Sequence, residues 1–152
     1  MNKILQAVVF SVGLIGASTA FAAEQGTSDE ATAMVKKAVA FEKANGKDKT
    51  LAEISNNKGQ FVDRDLYVSV YDMTGKVVAH GTNGKLIGKD VSGLKDANGK
   101  AFIADILAQA KANGKGKADY KWPNPVTQEI QSKSVYFEKA DDLVFSSGYY
   151  TK

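Results

Sequence analysis

The last third of the chain places a lysine among aromatic and hydroxyl side chains that together suit the binding of an anion. Lys133 lies in a predicted strand, and the strands on either side carry Tyr120, Trp122 and Tyr149. A lysine ammonium supplies positive charge and tyrosine hydroxyls supply directed hydrogen bonds, while aromatic rings exclude water, which strengthens both interactions. The combination favours a small carboxylate as the bound group.

The positions of two turns decide which of these side chains share a face of the predicted sheet. A turn over residues 123–130 pairs Tyr120 with Lys133, and a turn over residues 140–142 pairs Lys133 with Tyr149. Cross-strand neighbours point to the same side of a sheet. One face is therefore predicted to carry Tyr120, Trp122, Lys133, Phe137, Phe145, Ser147 and Tyr149.

Lys133 and Trp122 each have a second interpretation. A lysine near the edge of a sheet can lay its methylene stem on an aromatic ring, here Tyr120, and keep its ammonium in water. Trp122 precedes a proline and is either a wall of a pocket or a plug. The residue pattern leaves these alternatives open.

Two earlier strands add further candidates. Tyr67 and Tyr71 alternate with aliphatic residues, which usually face a packed helix, so the tyrosines are either ligand-binding residues or ordinary aromatic core. His80 is the single histidine of the chain. It is predicted either to contact a ligand or to lie exposed at a strand end, and an unperturbed imidazole changes charge at about pH 6.5.

The composition argues against metal, cofactor and catalytic chemistry. With 1 histidine and 0 cysteines, the chain lacks the ligands of a zinc site. A carboxylate calcium site would have to use Asp90, Asp96 and Asn98, whose spacing does not match the EF-hand calcium loop. No nucleophile, base and orienting residue stand out as a set. The sequence predicts no metal, no cofactor and no enzymatic activity.

The charge pattern argues against nucleic acid as a partner. The formal net charge is +3, with lysines and carboxylates interspersed and Arg64 as the single arginine. Nucleic-acid-binding domains usually cluster lysine and arginine on one face. The lysines are therefore interpreted as a solvated surface.

The order of elements predicts an α+β fold. Thr27 and Glu30 form a capping box for a long helix that ends at Gly46, and Thr50 with Glu53 repeats the box for a short second helix. The remaining elements are strands over 66–72 and 77–80, a glycine-rich loop over 81–99, a helix over 101–112, and strands over 116–122, 131–139 and 143–150. This predicts a five-stranded antiparallel sheet with the long helix on one face and the loop and small helix on the other.

Five sequence runs, in this order and spacing, resemble the single Cache domain, specifically the family form called single Cache domain 2. The resemblance covers Thr27 to Lys152 and rests on DLYVSVYDMTGKVVAH at 65–80, on GKDVSGLKDANGKAF at 88–102, and on the YKWPNPVT, KSVYFEKA and FSSGYY runs between Tyr120 and Tyr150. The family comprises extracytoplasmic sensor domains with a PAS-like sheet, usually found in bacterial chemoreceptors and sensor kinases.

The resemblance implies a ligand site on the loop-covered face of the sheet. Lys133 opens the KSVY run that matches the family's fourth strand, and His80 stands where the family often carries a histidine. The ligand-binding residues expected from the residues and the resemblance together are Tyr67, His80, Tyr120, Trp122, Lys133 and Tyr149. Two departures prevent transfer of a ligand identity, namely Asp141-Asp142-Leu143 in place of a Trp-rich turn and Gly-Thr-Asn-Gly at 81–84 where a proline often follows the histidine.

The first 22 residues have the form of a cleaved secretory leader. A short basic start precedes an apolar stretch, and Ala20-Phe21-Ala22 forms a small-aromatic-small cleavage signal before Ala23. The expected organisation is a signal peptide at 1–22 and a single Cache domain at 23–152 that stands alone in the periplasm. The expected function is binding of a short organic acid for a membrane sensor or chemoreceptor. The alternative is a ligand-free module that regulates a membrane sensor kinase.

Export should remove the leader. The intact mass of the protein from a periplasmic extract is expected to match a chain that starts at Ala23, because the cleavage signal ends at Ala22. A membrane-bound protein that keeps residues 1–22 would contradict this prediction.

Overall fold

The computed structural model describes residues 24–152, and the predicted leader at residues 1–22 lies outside the described part of the chain. The described elements, in chain order, are α1 (Ser28–Asn45), α2 (Lys47–Ile54), β1 (Val62–Asp63), β2 (Leu66–Tyr67), β3 (Ser69–Asp72), β4 (Val77–His80), a 3-10 helix (Gly84–Leu86), α3 (Phe102–Asn113), β5 (Lys115–Pro123), β6 (Ile130–Ala140) and β7 (Leu143–Thr151). The predicted α+β class is confirmed.

The long helix α1 begins and ends where its capping residues predict. The Thr27 hydroxyl accepts from the Glu30 N–H, the Glu30 carboxylate accepts from the Thr27 N–H at 2.8 Å, and Gly46 ends the helix with φ of 83°. The second predicted capping box is wrong. α2 begins at Lys47, so Thr50 lies inside it and its hydroxyl donates to the Gly46 carbonyl at 2.8 Å.

The five-stranded sheet has the order β4-β3-β7-β6-β5, with every neighbouring pair antiparallel. The five-stranded antiparallel sheet predicted from the sequence is confirmed. One predicted strand, over residues 66–72, is broken at Val68, whose N–H donates to the Phe61 carbonyl. Its first part becomes β2, which pairs with β1 in a separate small sheet.

The sheet separates two apolar cores. Side chains on one face pack against α1 and α2, and this core includes Val35, Ile54, Phe61, Val70 and Phe145. Side chains on the other face pack under α3 and the preceding loop, and this core includes Tyr71, Phe102, Ile106, Tyr120 and Phe137. The second core contains the polar groups from which a binding site can be built.

The loop over the second core is tied to both edges of the sheet. We call residues 84–101 the lid segment. At the β4 edge the Val77 N–H donates to the Lys89 carbonyl at 2.9 Å. At the β5 edge the Lys121 N–H donates to the Asp96 carboxylate, also at 2.9 Å. The lid segment is therefore fixed over the sheet, and it covers backbone groups that an edge strand would otherwise expose.

The turn between β6 and β7 corrects the predicted register. Ala140 pairs with Leu143 across a two-residue turn, with Asp141 in the left-handed region at φ of 49°. The predicted turn over 140–142 is one residue too long. Lys133 consequently pairs with Tyr150 instead of Tyr149. A one-residue shift moves every β7 side chain to the opposite face.

Gly148 should be intolerant of a side chain. A Cβ at this position would lie 2.5 Å from the Ser134 carbonyl oxygen and 2.5 Å from Val135 Cγ1. Because one of these neighbours is backbone in the adjacent strand, Gly148→Ala is expected to lower the free energy of unfolding by about 1–3 kcal/mol.

Gly93 supplies the matched control for denaturant unfolding. A Cβ there meets nothing within 4 Å, so Gly93→Ala is expected to change stability by less than about 0.5 kcal/mol. Equal stabilities of the two variants would contradict the tight approach of β6 and β7.

Candidate functional site

A small cavity lies between the sheet and the lid segment. The strands form the floor of the cavity, and the lid segment and α3 form its roof. The lining residues are Tyr67, Ser69, Tyr71, Val77, His80, Leu86, Val91, Leu94, Phe102, Ile103, Tyr120, Trp122 and Lys133. Its volume is about 10 Å³, which is roughly the room that one water molecule needs. The cavity is therefore closed in this conformation.

Lys133 lies inside the protein beside this cavity and not at the sheet edge. It is only 2% exposed. Its Nζ atom lies 3.9 Å from the centre of the Tyr67 ring and 4.9 Å from the centre of the Tyr150 ring. The alternative of a solvated edge lysine with its stem on Tyr120 is wrong, because β6 lies between β5 and β7.

The Lys133 ammonium has aromatic partners but no ionic one among the described residues. Within residues 24–152 no salt bridge or hydrogen bond joins its Nζ to a protein oxygen. No fully buried polar side-chain atom in this range lacks a partner, so Nζ keeps some accessible surface, and Lys133 lines the cavity. Burial lowers the pKa of Lys133 from 10.5 to about 7, against the opposing effect of the Asp65 charge.

The nearby carboxylate of Asp65 is committed to other donors. It is 2% exposed and accepts from the Gly26 N–H at 2.8 Å and from the Asn124 side-chain amide at 3.2 Å. The same Asn124 amide also donates to the Gln131 side chain at 2.9 Å. This buried network ties the start of the described chain to the β5–β6 turn and holds the Asp65 carboxylate where its charge acts on Lys133 without a hydrogen bond to it.

The two tyrosines around Lys133 are oriented by a chain of hydrogen bonds. The Tyr150 hydroxyl donates to the Pro123 carbonyl at 3.0 Å, so Tyr67 must be the donor in the 3.1 Å contact between the two hydroxyls. Burial raises the pKa of both tyrosines, and they stay neutral. Both ring faces are thereby held toward the ammonium.

His80 is a neutral hydrogen-bond donor. Its Nδ1 atom accepts from the N–H groups of Thr82 and Asn83 at 3.2 and 3.0 Å, so the ring proton must lie on Nε2. Burial, followed by the charge of Lys133, lowers its pKa from 6.5 to about 3. The alternative of an exposed strand-end position is therefore wrong, since His80 is only 4% exposed.

The cavity carries one cation and several neutral donors, and none of its described walls is an aspartate or glutamate. Burial raises the pKa of Tyr71 and Tyr120, so these hydroxyls are also protonated. The Tyr71 hydroxyl lies 3.1 Å from Ser69 Oγ, which lies 2.9 Å from Ser146 Oγ. Such a site favours an anion over a cation or a neutral molecule.

Five of the six predicted site residues meet at the cavity. The structure brings together Tyr67, His80, Tyr120, Trp122 and Lys133. Tyr120 stacks on Phe102 with ring centres 3.9 Å apart, and Trp122 contacts both rings edge-on. Trp122 is therefore a wall of the cavity.

The predicted position of Tyr149 is wrong. The corrected register turns it to the α1 side of the sheet, near Ser28 and Ala31. Ser147 and Phe145 also face α1, with the Ser147 hydroxyl 3.8 Å from Met34 Sδ. The sequence prediction missed Tyr150 and Ser146, which lie on the Lys133 face of β7. The adjacent aspartates at 141 and 142 indicate a two-residue turn, and a turn of that length places both residues on this face.

The carboxylates considered for calcium have other partners. Asp96 accepts from the N–H groups of Asn98, Lys100 and Lys121, and Asp90 accepts from the Ser92 N–H. Within residues 24–152 no three candidate ligands come together as a metal site. The same residues contain no helix that is long and apolar enough to cross a membrane.

The fold and the cavity define a sensor-type domain, and comparison with known proteins identifies its family. The family model for single Cache domain 2 matches residues 5–151. The chain belongs to this family, whose domains serve signal transduction. The resemblance seen in the sequence is confirmed.

One curated relative is a chemotaxis protein. The chain is 31% identical over 90 residues to methyl-accepting chemotaxis protein McpP of Pseudomonas putida, covering 58% of this chain and 16% of the receptor. The chain thus spans about a sixth of that relative's length.

Two solved structures share the fold over most of the chain. A methyl-accepting chemotaxis protein from Vibrio parahaemolyticus has a TM-score of 0.68 and 29% identity, over 80% of this chain and 86% of that one. A second, described as showing carboxylic acid recognition by a Cache chemosensory domain, has a TM-score of 0.64 and 26% identity, over 82% and 88% of the two chains. The PAS-like Cache fold predicted from the sequence is confirmed.

The buried ammonium should make the stability of the empty protein depend on pH. Because the folded-state pKa of Lys133 lies below its unfolded value, the unfolded chain binds more protons between about pH 7 and 10.5. Wild-type stability is therefore expected to rise with pH in this window. Methionine carries no charge, so Lys133→Met is expected to be more stable than wild type at about pH 7. This difference in the free energy of unfolding should shrink by about 3 kcal/mol from about pH 7 to 9.5.

Chemical denaturation of both proteins at several pH values measures this difference. Comparison with Lys133→Met cancels the contributions of all other titrating groups. A difference that stays constant across the window would show that the Lys133 ammonium is not destabilised by burial.

Proposed function

We propose that this domain binds a small monocarboxylate in the cavity beside Lys133, in the periplasm, and presents the occupied state to a membrane sensor or chemoreceptor. The observation that carries the proposal is the buried Lys133, which lines a cavity without a described carboxylate wall. A ligand carboxylate would supply the counter-charge that the protein itself places elsewhere.

The other cavity groups suit the same ligand. The neutral His80 ring offers its Nε2–H, and the Tyr71 and Tyr120 hydroxyls are kept protonated by burial. A carboxylate accepts several such donors at once. The aromatic walls hold water away and strengthen each interaction.

The size of the closed cavity limits the ligand to a few atoms. Expansion by small side-chain movements would admit an acid of two or three carbon atoms before it would admit a larger molecule. A ligand of about five heavy atoms reaches at best about 7.5 kcal/mol of binding free energy, or a Kd of several micromolar. The likeness to a solved domain described as recognising carboxylic acids supports this class of ligand.

A ligand-free regulatory module is the second candidate, and the closed cavity favours it. A volume of about 10 Å³ admits no organic acid in the present conformation. In this alternative the fold acts on a membrane sensor kinase through its surface, and Lys133 is held only by the tyrosine rings. The two candidates differ in whether any small acid stabilises the protein.

A thermal-shift screen separates these candidates. Acetate, propionate, lactate and pyruvate, each at about 100 times Kd, are expected to raise the free energy of unfolding by about 2.7 kcal/mol when they bind. For a domain of this size, that shifts the melting temperature by several degrees. If none of these acids moves the melting temperature at millimolar concentration, the ligand-free module becomes the better account.

Lys133→Met should abolish most of the affinity for the acid identified in that screen. Methionine keeps the length of the stem and removes the charge, so the bound carboxylate would be desolvated without a counter-charge. The expected loss is about 2–4 kcal/mol of binding free energy, or roughly 30- to 1,000-fold in Kd by isothermal titration calorimetry.

Lys121→Met is the matched control. Its ammonium donates to Ser132 Oγ at 2.6 Å, on the opposite face of the sheet. This variant removes the same charge and is expected to bind with wild-type affinity. Equal affinities of the two variants would show that Lys133 is not the anchor.

A further inference from the structure

The closed cavity shares a wall with a larger chamber that opens to solvent. Tyr67, His80 and Trp122 line both spaces. We call the second space, of about 310 Å³, the outer chamber. These three aromatic side chains thus form a partition between the Lys133 ammonium and the outside of the protein.

Within the partition, Trp122 is the side chain with the fewest restraints. Tyr67 is 2% exposed and is fixed by its hydrogen bond to Tyr150, and His80 is 4% exposed and is fixed by two backbone N–H groups. Trp122 is half-buried, meets Phe102 and Tyr120 through edge contacts at 5.4 and 6.2 Å, and lies close enough to the Tyr67 hydroxyl to lower the pKa of that group slightly. Rotation of Trp122 would therefore join the two spaces with the least loss of contacts.

The lid segment offers a less favourable opening. It is bonded to β4 through the Val77 and Lys89 backbone and to β5 through the Asp96 carboxylate. Lys100 Nζ adds a bond to the Asp119 carbonyl at 2.7 Å. Opening the cavity from this side would break bonds at both edges of the sheet.

The outer chamber is polar but uncharged. Beyond the partition its described walls include the Thr82 hydroxyl and the side-chain amides of Asn83 and Gln128, and none of them carries a charge. These groups can donate to and accept from a hydroxyl or an amide. A second carboxylate or an ammonium would have no counter-charge there.

We propose that the outer chamber is a second compartment of the ligand site, which takes the neutral polar tail of a carboxylate, and that Trp122 is the movable partition between the two compartments. This inference rests on the proposed function, since the carboxylate must first reach Lys133. Acids of two carbon atoms require only small side-chain movements and leave the partition closed. Longer acids with a terminal hydroxyl require Trp122 to swing aside and then bond to the chamber.

Acetate and 4-hydroxybutyrate are the probes, measured by calorimetry on the wild type, Trp122→Ala and Leu94→Ala. Removing the partition should raise the affinity for 4-hydroxybutyrate relative to acetate by about tenfold, because the longer acid no longer has to break the edge contacts of Trp122 with Phe102 and Tyr120. The ratio of the two affinities cancels any general loosening of the site. Leu94, a cavity wall on the lid segment that does not line the outer chamber, is the control, and its ratio should match that of the wild type.

Fluorescence of the wild type supplies a readout that needs no variant. Trp122 is the single tryptophan of the chain, so its emission reports the partition directly. 4-Hydroxybutyrate is expected to shift the emission to longer wavelength as the ring moves toward solvent, and acetate should leave it unshifted.

The outcomes separate the two proposals. Binding of both acids with an unchanged affinity ratio in Trp122→Ala, or a changed ratio in Leu94→Ala instead, would overturn the partition and leave the carboxylate site intact. Unshifted emission with bound 4-hydroxybutyrate would do the same. Binding of neither acid to any of the three proteins would overturn the proposed function, and the second compartment with it.

Discussion

The burial of one ammonium group without an ion-pair partner among residues 24–152 is the constraint on which the rest of this structure depends. Removing a charge from water costs several kcal/mol even after relaxation. A cation over an aromatic face recovers about 2 kcal/mol when the pair is desolvated. The Tyr67 and Tyr150 rings therefore offset only part of the cost for Lys133, and its lowered pKa records the remainder.

The surrounding elements keep this unfavourable arrangement in place. Asp65, the carboxylate whose charge acts on Lys133, is held by the Gly26 N–H and the Asn124 amide. His80 is kept neutral by burial and by the same ammonium. Its Nδ1 atom accepts hydrogen bonds from the backbone N–H groups of Thr82 and Asn83. The lid segment covers the site from above and is bonded to both sheet edges. The protein thus shields the ammonium from bulk water and places it beside a small cavity with no described carboxylate wall.

Much of this arrangement follows from the sequence, because strand alternation is a simple rule. The pairing of Tyr120 with Lys133 and of Trp122 with Gln131 was predictable once the β5–β6 turn was located. The Thr27 capping box was predictable because its hydrogen bonds are local. The face of Tyr149 was not predicted correctly, because it depends on the length of one turn, and an error of one residue reverses the face.

Other features depend on contacts that no local pattern records. The low pKa of His80 arises from burial and from a lysine 53 positions away in the chain. The second capping box failed because Gly46 ended α1 and allowed α2 to begin at once, which placed Thr50 inside a helix. The closure of the cavity depends on the lid segment, whose sequence shows no periodicity. The state of His80 and the closure of the cavity thus depend on tertiary packing, which the local sequence does not record.

The central claim is that the Lys133 ammonium is destabilised in the empty protein and restored by a bound anion. Nuclear magnetic resonance of the lysine side chains, with Lys133→Met to assign the signal, measures its pKa directly. The account predicts a titration at about pH 7 in the empty protein, moved up by two units or more, on the order of 3 kcal/mol, in saturating acetate. A titration at the ordinary 10.5 in the empty protein, or a pKa that acetate leaves unchanged, would contradict it.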